Sequence, residues 1–327
     1  MPTHVVDEGV QVIRAAPGRK RLEQGSLMEL LVHIHAAYRQ ASELLSQQSF
    51  DLIHSHFIVP SGLVAYRLYC KFGLPYVLTA HGSDVPGYNG ERFRLLHLLI
   101  RYQWKEIVGN AAGIVAPSIF LRDLIRQQSE APVEVIPNGL QTDWPPREGV
   151  RVNQVLAVSR IVKRKGIQDL IRAAAQLPPD WEVVVVGDGP YLPDLVSLAE
   201  DLGVAVRFVG HVSREAARRY YQSAKIFVLP SRQENAPMVL LEAMTAGCAV
   251  VTSTAPGCAE VVGDAGYCVE TSNVGQLAAV LKRLTKDPRL LSRQQHKARQ
   301  RSLDFSIGNV ATQYERHFSE ALAARQP

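Results

Sequence analysis

Two glutamates with seven residues between them, Glu234 and Glu242, bracket the point where a polar loop becomes an apolar helix in the stretch SRQENAPMVLLEAMTAGCAVV, Ser231 to Val251. The apolar run before it, Ile226 to Ser231, reads as a buried parallel strand, so the loop opens at a strand's carboxyl end, where open α/β sheets bind ligands. Pro237 holds the place of a first helical residue. The backbone N–H groups of Met238 and Val239, unpaired in that first turn, combine with the helix dipole into a seat for phosphate. A carboxylate is a poor partner for phosphate oxygens and a good acceptor for hydroxyls, so both glutamates are expected to face hydroxyl groups. Hydroxyls on either side of a diphosphate describe a nucleotide sugar. Read as plain structure, Glu234 would be a solvated loop residue and Glu242 an exposed helix residue.

Two cations, Arg160 and Lys165, lie in SRIVKRKG at the end of another strand, QVLAVSR. Beside a diphosphate they would neutralise its charge and stabilise it as a leaving group. Lys163 and Arg164 read as solvated loop residues. The turn GDGP, residues 187–190, lacks the spacing of a dinucleotide fingerprint because Leu192 stands in its third place, so hydride chemistry is poorly supported. No D-x-D pair occurs in the chain, which removes the usual carboxylate ligands for Mg²⁺ or Mn²⁺ against a diphosphate. Arg160, Lys165 and the helix start are expected to replace the ion, with no cofactor.

These side chains need a scaffold, and the apolar pattern supplies one. Strands are expected at 51–56, 75–81, 113–118 and 133–139, with helices at 60–72 and 119–127 between them. A second alternating series begins with the strand 154–160, the helix 166–176 and the strand 181–189, and continues to Glu270. Such alternation argues parallel sheets covered on both faces. Earlier, 10–14 reads as one strand, followed by a basic turn PGRKR. The run 26–48 reads as a helix with Ser26 and Glu29 as a capping box. The prolines Pro145 and Pro146 mark a linker. Asn273 with Gln276, and Pro288, start two late helices, and 305–322 forms the last.

Taken together, these motifs resemble the retaining glycosyltransferases of family four. The matching features are Glu, seven residues, Glu; EAM-x-A-G-x-x-VV; Arg-x-x-x-x-Lys-Gly from Arg160; and a His-Gly pair at His81. The resemblance implies the GT-B fold, two Rossmann-like parallel-sheet domains facing across a cleft. It divides the chain into an N-terminal acceptor-side domain (1–140), a linker (141–152), a nucleotide-sugar domain (153–304) and a helix crossing back (305–327). The N-terminal domain is expected to lack its first βαβ portion, since nothing before Val10 supplies a strand and a glycine-rich turn.

The resemblance also implies roles. His81, Glu234, Arg160 and Lys165 would be catalytic. The donor would be held by Arg160, Lys165, Gly187, the backbone near Val212, Asn235, Ala236, Pro237, Met238, Val239 and Glu242. Glu242 would take ribose hydroxyls, Glu234 the sugar's, and His81 would orient the sugar.

At 327 residues, 46% hydrophobic and 20% charged, the chain has room for two globular domains. Its net charge of +5 suits anionic partners such as sugar nucleotides or a phospholipid surface. Four cysteines without a C-x-x-C pair read as reduced thiols. The N-terminus lacks the features of a signal peptide, and no apolar run is long enough to span a bilayer, so a cytoplasmic place is expected. The segment 91–108, with Arg92, Arg94, Arg101 and Lys105 among Leu, Trp and Tyr, would suit the surface of an anionic membrane or, more plainly, a core-facing helix with a basic outer side. The leading functional expectation is transfer of sugar from a UDP- or GDP-sugar to a hydroxyl of a carbohydrate or lipid-linked acceptor. A sugar-nucleotide epimerase and a non-catalytic nucleotide-sugar binder are the alternatives. No basic, aromatic-studded platform supports nucleic-acid binding.

Overall fold

A computed structural model describes residues 4–7, 9–15, 27–88, 98–142, 144 and 151–324. The chain divides into two compact units. The first holds Met1–Pro117, Leu121–Ile136 and Tyr314–Pro327, and the second Ser118–Phe120 and Pro137–Gln313.

In the first unit a four-stranded parallel sheet runs in the order β3 (Ile53–His56), β4 (Tyr76–Thr79), β5 (Gly113–Ala116), β6 (Val133–Val135). Strands β4 and β5 are buried throughout, as parallel strands covered on both faces must be. Helices α1 (Leu27–Gln47), α2 (Ser61–Phe72), α3 (Arg101–Gly109) and α4 (Ile119–Arg126) fall between or before the strands. Tyr76, Leu78, Trp104, Ile107, Ile114, Leu121 and Ile125 form the core.

The segment before α1 is a hairpin rather than a single strand. β1 (His4–Asp7) pairs antiparallel with β2 (Val10–Ile13), apart from the parallel sheet. A strand before Val10 is not expected from the sequence, but the tight turn at Gly9, with φ of +84°, returns the chain on itself. Among the described residues β3 is preceded by the hairpin and α1. Ser26, the PGRKR turn, Arg92, Arg94, Pro145 and Pro146 lie outside the described residues. Of the expected helix 91–108, residues 98–109 are described: Leu98 and Leu99 are helical, Ile100 is a turn, and α3 follows from Arg101, so the run is not one unbroken helix.

The second unit carries a six-stranded parallel sheet, ordered β12 (Tyr267–Val269), β11 (Ala249–Ser253), β10 (Ala224–Leu229), β7 (Val152–Val158), β8 (Glu182–Val186), β9 (Val206–Gly210). Alternate residues of the same strands feed two cores on opposite faces. Val155, Ala157, Val183, Val185, Ile226 and Val228 enter one; Leu156, Val184, Val186, Phe227 and Leu229 enter the other. Strand order reverses between β7 and β10, and such a switch point opens a crevice at the carboxyl ends of the strands. The helices are α5 (Ile167–Ala174), α6 (Leu192–Asp201), α7 (Arg214–Ser223), α8 (Met238–Ala246), α9 (Pro256–Val262), α10 (Val274–Lys286) and α11 (Pro288–Ser302), while α12 (Ile307–Ala323) starts in this unit and belongs to the first from Tyr314 onward. Asn273 caps α10 by accepting from the Gln276 N–H at 2.9 Å. Two parallel-sheet units of this kind constitute the GT-B architecture.

Candidate functional site

The expected site residues of the second unit collect at one edge of its sheet because every parallel strand ends there. Arg160 follows β7 by two residues, Gly187 follows β8 directly, Val212 follows β9 by two, and Glu234 follows β10 by five. The loops after β7 and β10, which flank the switch point, are tied together. Arg232 N–H donates to the Arg164 carbonyl at 2.8 Å, Arg164 donates to the Gln233 carbonyl at 3.2 Å, and Arg232 donates to Asp169 at 3.0 Å.

The central contact joins Lys165 to Glu234, Nζ to Oε1, at 2.5 Å. Their side chains are only 14% and 10% exposed, which makes this a mostly buried ion pair. Lysine was expected at phosphate and glutamate at sugar hydroxyls; in the unliganded chain each is the other's partner. The pairing escaped the sequence reading because it depends on β7 lying beside β10. Arg160 is exposed, and among the described residues its guanidinium makes no ion pair or hydrogen bond, which leaves it available to an anion.

Close approach of backbones sets the loop geometry. A Cβ on Gly257, in the first turn of α9, would stand 1.8 Å from the Asn235 carbonyl oxygen, so only glycine lets α9 press against the 234–237 loop. Gly166 has φ of +74°, and a Cβ there would stand 1.9 Å from the Pro230 carbonyl oxygen. The Asn138 side chain donates to the Ala236 carbonyl at 3.2 Å, and Ser118 donates to the Asn235 side-chain oxygen at 2.6 Å.

Pro237 is the residue before the helix rather than its first, with an extended ψ of 110°. The helix therefore starts at Met238, one of the two residues whose amides are expected to seat phosphate. No side chain caps this start. Leu240 N–H bonds to the Pro237 carbonyl at 3.0 Å, leaving the Met238 and Val239 amides to face the loop.

Glu242 is half-buried on α8, not an exposed helix residue. It accepts from the buried Tyr221 hydroxyl at 2.9 Å, and Arg214 lies 3.9 Å away. Burial raises its carboxyl above the usual carboxylate range, against the opposing pull of the Tyr221 bond and Arg214. Tyr221 was not foreseen; a tyrosine on an amphipathic helix carries no sequence signal for such a role.

Glu260, on α9, holds the start of α4. Its carboxylate accepts from the N–H groups of Ile119 at 2.6 Å and Phe120 at 3.0 Å, in the short stretch that clusters with the second unit.

In the first unit His81 stands two residues beyond β4 and is half-buried. Burial lowers its pKa, the Asp84 carboxylate opposes that, and His56 adds to it. Asp84, three residues on, is turned into the protein. It is 4% exposed and accepts from Ile58 N–H at 2.8 Å and His81 N–H at 3.0 Å. Among the described residues one set of three metal-type ligands lies together, Glu134, His317 and Glu320, within 4.8 Å. Arg316 already bonds Glu134 at 2.7 Å and lies 3.8 Å from Glu320. These are the contacts of an ion-pair cluster.

Two parallel-sheet units, the second with a buried Lys165–Glu234 pair beside an uncapped helix start at its switch point, are the architecture of GT-B glycosyltransferases. Residues 4–144 match the model of "Glycosyltransferase Family 4" and residues 142–301 that of "Glycosyl transferases group 1". The chain belongs to glycosyltransferase family four. It is 30% identical over 332 residues to the glycogen synthase of Mycobacterium tuberculosis, covering 94% of this chain and 79% of that one. It is 32% identical over 229 residues to TuaC of Bacillus subtilis, named for teichuronic acid biosynthesis, covering 65% of this chain and 55% of TuaC. Two solved structures share the fold. Sucrose-phosphate synthase from Thermosynechococcus elongatus superposes with a TM-score of 0.80 at 24% identity, covering 99% of this chain and 86% of that one. Anabaena HepE in complex with UDP-glucose gives 0.74 at 20%, covering 90% and 84%. No helix among the described residues is long and apolar enough to cross a membrane.

Proposed function

We propose that the chain is a retaining, metal-independent glycosyltransferase that moves a sugar from a UDP- or GDP-sugar to a hydroxyl of a growing polysaccharide or a glycolipid. The observation that carries this reading is the Lys165–Glu234 pair at the switch point, beside an uncapped helix start. The cation is already largely out of water there, so a diphosphate that draws the lysine from the glutamate meets it with little intervening solvent.

In this reading Lys165, Arg160 and the amides of Met238 and Val239 grip the diphosphate, while Asn235, Ala236, Pro237 and Gly187 shape the pocket. The base rests on backbone near Val212. Glu242 takes ribose hydroxyls and Glu234 the sugar's. The bond from the anomeric carbon to the phosphate oxygen breaks with its electron pair leaving on the diphosphate. The acceptor oxygen bonds to the same face, and its proton passes to the departing phosphate. His81 orients the sugar. No metal or other cofactor takes part.

A donor screen by mass spectrometry tests this, with UDP-glucose first because HepE was solved with it. Transfer to an acceptor supports the reading. Release of an epimerised sugar without acceptor, or UDP binding with no turnover of any donor, overturns it.

A peripheral place at the inner face of the cytoplasmic membrane belongs to the same proposal. Leu98, Leu99 and Tyr102 are 65%, 75% and 77% exposed, beside exposed Arg101 and Lys105. Apolar side chains among cations are the pattern of an interfacial helix.

A further inference from the structure

The chain after β3 and the chain after β4 are pinned by one carboxylate, since Asp84 accepts from the backbone of both Ile58 and His81. That clamp brings two imidazoles edge to edge: His56 Nδ1 and His81 Nε2 are 3.0 Å apart. His81 is further held by the Phe57 ring, 4.5 Å between centroids, and His56 by the His54 ring at the same separation. His54 is itself anchored, its Nε2 lying 2.8 Å from the Thr79 hydroxyl, which lies 3.1 Å from the Tyr314 hydroxyl. Among the described residues the other ring nitrogen of His81, Nδ1, has no hydrogen-bond partner.

We infer that His56 is a positioning residue that sets the ring orientation and the tautomer of His81, so that a single form of Nδ1 meets the sugar. This rests on the reading of His81 as the residue facing the donor. Two neutral imidazoles at this distance hold one proton between them, because one nitrogen must donate and the other accept. Whichever ring donates, the hydrogen bond at Nε2 decides whether His81 Nδ1 carries a proton. His56 touches no substrate in this account and acts only through His81. The titratable groups around the pair are His54 and Asp84; desolvation lowers the pKa of His56 and of His81, with Asp84 opposing it at His81.

The test compares His56→Leu, His56→Asn and His56→Gln in the full chain, with the transferable donor found in the screen. Leu removes the bond and should lower kcat about tenfold, the worth of one hydrogen bond near the upper end of the usual range, with donor KM nearly unchanged. Asn carries a polar atom where Nδ1 stands and should recover kcat to within about threefold. Gln carries its amide one bond too far and should behave as Leu does. Long-range proton–nitrogen spectra should show the His81 ring nitrogens of His56→Leu moved from their wild-type shifts, towards a mixture of tautomers. Unmoved His81 shifts, a silent His56→Leu, or equal rescue by Gln and Asn would each overturn the inference. His81→Ala separates the two levels. Undiminished transfer in that variant removes His81 from the site altogether, whereas its loss alongside a silent His56→Leu defeats this inference alone.

Discussion

Lys165 Nζ lies 2.5 Å from Glu234 Oε1, 69 residues away in sequence, and the contact spans the point where the second unit's strand order reverses. An arriving diphosphate must share the lysine with the glutamate or displace it. The two members of the pair therefore differ in what their loss does. Lys165→Ala should weaken UDP binding about ten- to a hundredfold, the worth of a charge-assisted hydrogen bond. Glu234→Gln should bind UDP at least as tightly as the wild type, because the lysine loses a competing anion, yet transfer sugar far more slowly. Titration calorimetry with UDP beside a transfer assay checks both. Weaker UDP binding by Glu234→Gln would show that the carboxylate does not compete with phosphate.

Tyr221→Phe removes the hydroxyl that orients Glu242. One lost hydrogen bond of about 1 kcal/mol should raise donor KM roughly fivefold. Glu242 must be ionised to serve as a full acceptor, and burial raises its pKa. Donor binding should therefore fall as pH drops through that raised value. Tyr221 opposes the rise, so in Tyr221→Phe the acidic limb should move to higher pH. A pH series of donor KM for both proteins decides it.

His54 has a pKa lowered to about 4, first by desolvation and then by His56, His81 and His317. Below the ordinary value of about 6.5 the unfolded chain binds a proton that the folded ring refuses. Stability should thus decline as pH falls from about 6.5 towards 4, and level off below. In His54→Phe, whose ring can keep the stack on Tyr314 and Phe318, this part of the decline should vanish. Urea unfolding across that pH range is the measurement.

Gly257→Ala would place a methyl 1.8 Å from the Asn235 carbonyl oxygen. The 234–237 loop must then move, at a cost of about 1–3 kcal/mol. A fall in Tm together with loss of UDP binding is expected; wild-type affinity would mean that the loop can shift freely.

Replacing Leu98, Leu99 and Tyr102 by Ser should abolish sedimentation with vesicles containing anionic lipid. Raising the salt should weaken the wild type's binding, since screening removes the contribution of Arg101 and Lys105. Vesicle binding that is unchanged in the triple variant would rule this helix out as the contact.

Much of the fold was legible locally. The apolar runs around Val155, Val184 and Phe227 announce strands buried on both faces, and loops after such strands necessarily share an edge. The β1–β2 hairpin was half missed, since four-residue strands leave too short a pattern. Pro237 was placed one residue too far into its helix because the residue type suits either position. The burial of Asp84 is not legible in the sequence, because a polar residue in a loop gives no sign of being buried.

What the sequence determined by itself is the inventory: parallel α/β units, a helix start behind a polar loop, and the cations and acids that a nucleotide sugar would need. Tertiary structure decided who meets whom. Lys165 finds Glu234 only because β7 lies beside β10, Glu242 is steadied by Tyr221, and His56 reaches His81 through a clamp made by Asp84. Spacing along the chain governs which face a residue occupies, but a side chain's partner is set by the order of strands in the sheet, which local spacing does not encode.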